Sequence, residues 1–149
     1  MILIRRPLPS EHSLVSGLVH TVVEETYGRL LALPPLHIDG DWALAWVALV
    51  DAEMAGVVLS HQDWISELWV LHQFRNLGVG TNLLRQAEAE IAERGYDAAR
   101  LRVVQSNVRA VRFYEVRGWI AQREFPHEQL PTTMIELSKD LGEAGRERV

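Results

Sequence analysis

The sequence predicts an α/β domain built on a mixed sheet, and three observations lead there. Apolar runs of strand length recur six or seven times. They alternate only partly with helical patterns. One of them, Trp64 to Leu71, runs through a glycine turn into a long amphipathic helix.

Met1 to Arg6 reads as a short strand stopped by Pro7 and Pro9. Ser10 is a natural N-cap for a helix on which Leu14, Leu18, Val22 and Tyr27 recur near helical period. That helix, or two helices broken near Gly28, is expected to reach about Leu33, where Pro34-Pro35 ends it. Trp42 to Val50 and Ala55 to Ser60 read as a hairpin around Asp51-Ala52-Glu53. The helix from Gly78 to Arg94 places Val79, Leu83, Leu84, Ala87 and Ile91 on one face, with Gly95 just past its end. Ala98 to Val104 is a strand, with Leu101 and Val103 on one face, and Val108 to Arg117 a short helix closed by Gly118. Trp119 to Phe125 and Thr132 to Leu137 are two closing strands around the loop from Pro126 to Pro131. No repeat or low-complexity segment interrupts the pattern. A chain of 149 residues therefore reads as one domain over 1–149, in which 139–149 form a loose charged tail.

Composition narrows the function. Net charge is −5 and no block of like charge stands out, which argues against a nucleic-acid partner. The absence of cysteine excludes disulfides, thiolate metal sites and a cysteine nucleophile. With no apolar stretch behind the Arg5-Arg6 pair to make a signal peptide, a cytoplasmic location is expected. No apolar run approaches the roughly 20 residues that cross a bilayer, so no membrane partner is expected. The six histidines show no i, i+4 or HExxH spacing, so no metal is expected.

The chemistry concentrates at Arg75-Asn76-Leu77-Gly78-Val79-Gly80, between strand and helix. The first N–H groups of a helix have no intrahelical partner and, with the helix dipole, favour an anion such as phosphate. Glycine at 78 and 80 admits phosphate oxygens where a Cβ would stand, and Arg75 adds a charge-assisted donor. A plain glycine turn without a ligand is the alternative. A Walker A loop is excluded because Gly80-Thr81 lacks the lysine, and a dinucleotide fingerprint because its third glycine is Leu83.

What fits is the R/Q-x-x-G-x-G/A signature of acetyl-CoA binding. Residues 75–80 match it in full, preceded by Leu68-Trp69-Val70, which is similar to the L-x-V strand end that goes with it. A second segment, N-x-x-A-x-x-[LF]-Y-x-x-x-G-[FW], is matched by Asn107, Ala110, Phe113, Tyr114, Gly118 and Trp119, one helix and one strand further on. In these motifs the chain resembles the Gcn5-related N-acetyltransferase (GNAT) superfamily across most of its length.

The resemblance implies a central, mostly antiparallel mixed sheet of six to seven strands, flanked by helices, with splayed central strands. It implies that Arg75, Asn76, Leu77, Gly78, Val79, Gly80 and Thr81 cradle the pyrophosphate of acetyl-CoA. The strand end Trp69, Val70 and Leu71 would pair with the pantetheine arm through main-chain hydrogen bonds, and Asn107, with Ala110 beside it, would hold that arm from the next helix. Asn107 also reads as a plain N-cap. Tyr114 would be the general acid, since a phenol is protonated at neutral pH and can reprotonate the departing thiolate; a buried core tyrosine is the other reading. Some members carry a glutamate base on the strand before Asn107, where this chain has Arg102. Glu67, which interrupts an apolar strand, is the substitute, with His72 next; a solvent-facing strand residue and an exposed loop histidine are the plain readings of the two. Without cysteine, direct transfer in a ternary complex is expected.

The expected function is thus acetyl-CoA-dependent N-acetylation of a primary amine on a small molecule, peptide or protein. A non-catalytic acyl-CoA-binding module and a generic nucleotide-binding or interaction domain are the alternatives. The acceptor walls are expected from residues 24–41 and 126–131, where Glu24, Glu25, Asp39, Asp41 and Glu128 would suit a cationic amine. Trp42 and Trp46 are core or acceptor pocket. The strand from Thr132 to Leu137 is a possible exposed edge, which would favour a homodimer.

Overall fold

A computed structural model describes residues 1–28, 41–128 and 130–142. Seven strands form one sheet in the order β1-β2-β3-β4-β5-β7-β6. In chain order these are β1 (Ile2–Arg5), β2 (Trp46–Val50), β3 (Glu53–His61), β4 (Trp64–Val70), β5 (Ala98–Val104), β6 (Ile120–Pro126) and β7 (Thr133–Asp140). Helix α1 (His12–Tyr27) precedes β2, α2 (Val79–Glu93) follows β4, and α3 (Val108–Glu115) follows β5. Four of the strand pairings, β1–β2, β2–β3, β5–β7 and β6–β7, are antiparallel, and β4–β5 is parallel with Trp64 opposite Arg100. The chain forms two compact units, one of Met1–Ser60 with Glu67–Ala87, the other of His61–Ser66 with Glu88–Val149.

In the first unit, α1 buries Val15, Leu18, Val19, Val22 and Val23 in one cluster with Val47 and Leu49 of β2, Val57 and Leu59 of β3, and Trp42. Each such side chain contributes about 1.5–3 kcal/mol over its exposed state. Leu14, expected on the buried stripe, is exposed instead, because Val15 takes the inward position. Ser10 does not cap the helix. Residues Pro9–Glu11 form a separate 3₁₀ turn, and the Glu11 carboxylate accepts from the Leu8 N–H at 2.8 Å while Arg5 grips it from the other side at 2.8 and 3.1 Å. These contacts hold its pKa down at about 2. The helix ends at Tyr27, with Gly28 after it; the expected continuation to Leu33 and the stop at Pro34-Pro35 lie outside the described residues. The β2–β3 hairpin turns through Asp51 and Ala52, both at positive φ, the backbone twist that suits a two-residue hairpin.

In the second unit, Ala99, Leu101 and Val103 of β5 and Ile135 and Leu137 of β7 are buried, together with Trp119. Strand β7 lies between β5 and β6 with partners on both sides, so the last strand is interior and not an exposed edge. The edge is β6, exposed at every residue but Phe125. β7 also reaches Asp140, so Lys139 and Asp140 belong to the sheet rather than to a tail. Residues 143–149 of that expected tail lie outside the described residues. Among the described residues, no helix is long and apolar enough to cross a membrane.

The backbone approach that sets β4 beside β3 is at Gly56. A Cβ there would lie 2.8 Å from the Trp69 carbonyl oxygen and 3.0 Å from Leu83 Cδ1. The oxygen is main chain and cannot step aside without moving β4. Gly56→Ala should therefore lower stability by about 1–3 kcal/mol, read as a lower urea midpoint at unchanged slope; an unchanged midpoint would show that β3 and β4 separate freely.

Candidate active site

The first unit carries the residues from Glu67 to Thr81. Leu71 donates its N–H to the Ala55 carbonyl at 2.9 Å, and its carbonyl accepts from Phe74 at 3.0 Å. Main-chain groups alternate sides along a strand, so Trp69 turns its groups and Leu71 its N–H toward β3, and Val70 turns its N–H and carbonyl away from β3. Of the three residues expected to meet a pantetheine arm, Val70 has the suitable backbone direction.

After β4 a 3₁₀ turn (His72–Phe74) is followed by two left-handed residues, Asn76 at φ 65° and Gly78 at φ 88°. At Gly78 the space a Cβ would take is open, the nearest atom being Ile2 Cδ1 at 4.0 Å, so conformation rather than crowding requires glycine there. The α2 ladder opens with Asn82 donating to the Gly78 carbonyl at 3.0 Å. Val79 and Gly80 thus stand in the first turn, where helix geometry offers their N–H groups no i−4 carbonyl. Val79 is buried and anchors that turn, whereas Leu77 is more than half exposed. Arg75 Nη1 lies 3.3 Å from His72 Nδ1, and the His72 side chain is exposed. A loop of alternating backbone hand, opening on a helix N-terminus with an arginine before it, fits a pyrophosphate.

Glu67 is half-buried on β4, and its Oε2 accepts from the Trp69 indole N–H two residues on. The Trp69 ring packs on the α1 core cluster and meets Tyr27 edge-to-face at 6.3 Å. Burial pushes the Glu67 pKa up, and the indole hydrogen bond opposes this in part. A carboxylate with a raised pKa and a fixed orientation is what a general base near neutral pH requires.

The second unit carries Asn107, Ala110 and Tyr114. Asn107 Oδ1 accepts from the Ala110 N–H at 3.2 Å, so Asn107 does cap α3. Tyr114 is buried, its ring edge-on to Phe113 at 5.2 Å and to Trp119 at 5.9 Å. Trp119 is itself tied down: its indole donates to Glu88 at 3.2 Å, and Lys139 donates to the same carboxylate at 2.8 Å. Gly118 at φ 93° makes the turn that returns Trp119 to Tyr114, where the Trp119 N–H meets the Tyr114 carbonyl at 3.1 Å.

The second unit also holds a set of side chains that the sequence reading left apart. Arg100 and Arg102 alternate with the buried Ala99, Leu101 and Val103, so period two puts both on the opposite face of β5. There Arg100 and Arg102 lie over the Trp64 ring at 4.0 and 4.8 Å, and Arg102 and Arg123 over Phe125 at 5.3 and 4.6 Å. The alternation was the available signal for this face.

Of the expected acceptor-wall residues, Glu24, Glu25, Asp41 and Glu128 are exposed, and Asp39 lies outside the described residues. Trp42 belongs to the core cluster and donates to Ser16 Oγ at 2.9 Å; Trp46 is half-buried under the Arg6 guanidinium at 3.8 Å. Among the described residues, no group of three or more His, Cys, Asp or Glu is placed to hold a metal ion.

Trp69→Phe removes the indole donor that favours ionised Glu67. The Glu67 pKa should then rise further, read as a higher midpoint in a carbon-detected NMR titration of the side-chain carboxyl; an unchanged or lower midpoint would mean the hydrogen bond does not govern the group.

Comparison with known proteins points to one family. The family described as "Acetyltransferase (GNAT) family" matches residues 18–119. An "Uncharacterized N-acetyltransferase" of Archaeoglobus fulgidus is 37% identical over 79 residues, 46% of this chain and 54% of that protein; the chain thus spans about half the length of the curated relative it matches. A GCN5-related N-acetyltransferase of Rhodopseudomonas palustris superposes with a TM-score of 0.74 at 17% identity, over 93% of this chain and 94% of that one. Arabidopsis thaliana Naa50, in complex with the bisubstrate analogue CoA-Ac-MVNAL, superposes with a TM-score of 0.73 at 16% identity, over 93% and 98%. The two structures share the fold, and the family match covers more than two thirds of the sequence: the chain belongs to the GNAT family of acetyltransferases.

Proposed function

We propose that the protein is an acetyl-CoA-dependent N-acetyltransferase that acetylates a primary amine by direct transfer in a ternary complex. The observation that carries this reading is Glu67: a half-buried carboxylate, pKa raised, on the strand that leads straight into the left-handed turn at Asn76 and Gly78. A strand that ends in a phosphate cradle and bears a tuned base suits a reaction between a phosphorylated donor and a proton-bearing nucleophile. The name of the Archaeoglobus relative and the CoA-linked peptide analogue bound by Naa50 support the same reading.

In this proposal Arg75 to Thr81 hold the pyrophosphate, Val70 gives its main-chain groups to the pantetheine arm with Trp69 and Leu71 fixing the strand, and Asn107 with Ala110 bounds the arm at α3. Acetyl-CoA supplies an activated carbonyl on a good leaving group. Glu67 takes the proton that the amine nitrogen loses as the C–N bond forms, and the Tyr114 hydroxyl gives its proton to sulfur as the C–S bond breaks. Its ring, held edge-on by Phe113 and Trp119, keeps that hydroxyl in one direction.

Isothermal titration with acetyl-CoA and thiol release on an amine and peptide panel test the proposal. Tyr114→Phe should lower kcat about 100-fold with acetyl-CoA affinity within about twofold of wild type. Glu67→Gln should lower kcat and abolish the rise of activity with pH that follows ionisation of the raised carboxyl. Wild-type turnover by both variants would remove the two assignments. Acetyl-CoA binding without thiol release from any amine would make the protein an acyl-CoA-binding module, and no binding at millimolar ligand would end both readings.

A further inference from the structure

The guanidinium face of the second unit crosses four adjacent strands, β4-β5-β7-β6, from Trp64 to Phe125. Three interstrand steps give it a width of about 14 Å, the length of roughly four residues of extended peptide and more than a single small amine fills. Its charges are unequally matched. Arg100 is held by Asp63 in a two-pronged pair at 2.9 and 3.1 Å. Arg123 reaches Glu136 at 3.2 Å. Arg102 has the same Glu136 at 4.0 Å, the outer limit of an ion pair, and its side chain is 50% exposed. Three guanidiniums thus share two carboxylates, and the excess positive charge falls on Arg102. The remaining acid of β6, Glu124, pairs with Ile135 in the register and so lies on the other face of the sheet, where it accepts from Gln105 at 2.9 Å.

The aromatic rings decide what that excess charge can do. Arg102 is the guanidinium that approaches both Trp64 and Phe125. Attraction to a ring face uses the charge of a guanidinium and none of its N–H donors, whose fork suits a carboxylate gripped by two parallel hydrogen bonds. A protein of net charge −5 that gathers three arginines and two aromatic rings on one sheet face has built a local anion site against its overall charge.

We propose that this face binds acidic side chains of the acceptor, so that the preferred substrate is a peptide that carries aspartate or glutamate. The inference rests on the acetyltransferase reading above, and the experiment separates the two. Thiol release is measured with Ala-Glu-Glu-Ala, Ala-Gln-Gln-Ala and Ala-Lys-Lys-Ala, and binding of Nα-acetylated Ala-Glu-Glu-Ala, which has no amine to acetylate, is measured by calorimetry. The acidic peptide should exceed the neutral one in kcat/KM by about tenfold, chiefly through KM, and the basic peptide should be poorest. Arg102→Gln should bring kcat/KM for the acidic peptide down to about that of the neutral one, and Arg102→Lys should keep part of the preference. If no peptide is acetylated, a roughly tenfold weaker affinity of Arg102→Gln for the acetylated acidic peptide still supports the face. Equal kcat/KM for acidic and neutral peptides, or equal affinity in wild type and Arg102→Gln, overturns it. Tighter binding of a ten-nucleotide oligothymidylate than of the acidic peptide also overturns it, as does a dimer seen by sedimentation that Arg102→Gln dissolves.

Discussion

The arrangement of the first unit depends on how closely β4 can lie against β3. At Gly56 the Trp69 carbonyl oxygen occupies space that any other residue would need for its Cβ. That approach aligns Leu71 with Ala55 and fixes which main-chain groups of β4 turn inward. Because alternation along a strand is strict, the same contact turns the main-chain groups of Val70 the other way. It also sets the stretch of chain on which Glu67 stands and from which the left-handed turn departs. One absent side chain therefore governs the placement of Glu67, the strand edge and the approach to the helix N-terminus together.

Two tryptophans donate to two glutamates in this protein, and the difference between the pairs is instructive. Glu88 receives the Trp119 indole and also the Lys139 ammonium, so its charge is compensated and the pair ties α2 to β7. Glu67 receives the Trp69 indole and pays for burial, with desolvation the larger influence. A neutral N–H orients a carboxylate without cancelling its charge, so the proton affinity stays high. The sign of the linkage follows: a carboxyl whose folded pKa is raised stabilises the fold below its ordinary pKa, and that contribution is lost as pH rises through the raised value. A charge-compensated pair suits a fixed joint, and an oriented, uncompensated acid suits a proton acceptor.

Much of this was legible in the sequence because it is local. The buried face Val79, Leu83, Leu84, Ala87 and Ile91 followed from period alone, as did the strands on either side of α3 and the hairpin at Asp51. Gly78 and Gly118 announced turns, and both carry positive φ. What was not legible depends on parts distant in the chain. Ser10 looked like a cap, but Arg5 recruits Glu11, and the carboxylate takes over the turn. Thr132 to Leu137 looked like a terminal strand, but its register with β5 inserts it ahead of β6, an order that no local pattern encodes. The left-handed Asn76 carried only a weak signal, since asparagine is enriched at positive φ but also adopts the ordinary backbone regions.

The arginines of the second unit have two different causes, and separating them bears on what the face is for. An edge strand invites pairing with other chains, and charge on it is a common defence. Arg123 and Glu124 on β6, with Pro126 at its end, meet that need. Edge protection does not account for Arg100 and Arg102, because β5 is interior, with β4 on one side and β7 on the other. An arginine on an interior strand gives up part of the packing that a β-branched or aromatic residue would provide. Arg100 recovers part of it through Asp63 and the Trp64 ring. Arg102 has the rings of Trp64 and Phe125 and a distant carboxylate, and half of its side chain lies open to solvent. That exposure leaves the Arg102 guanidinium accessible to the acidic partner proposed for it.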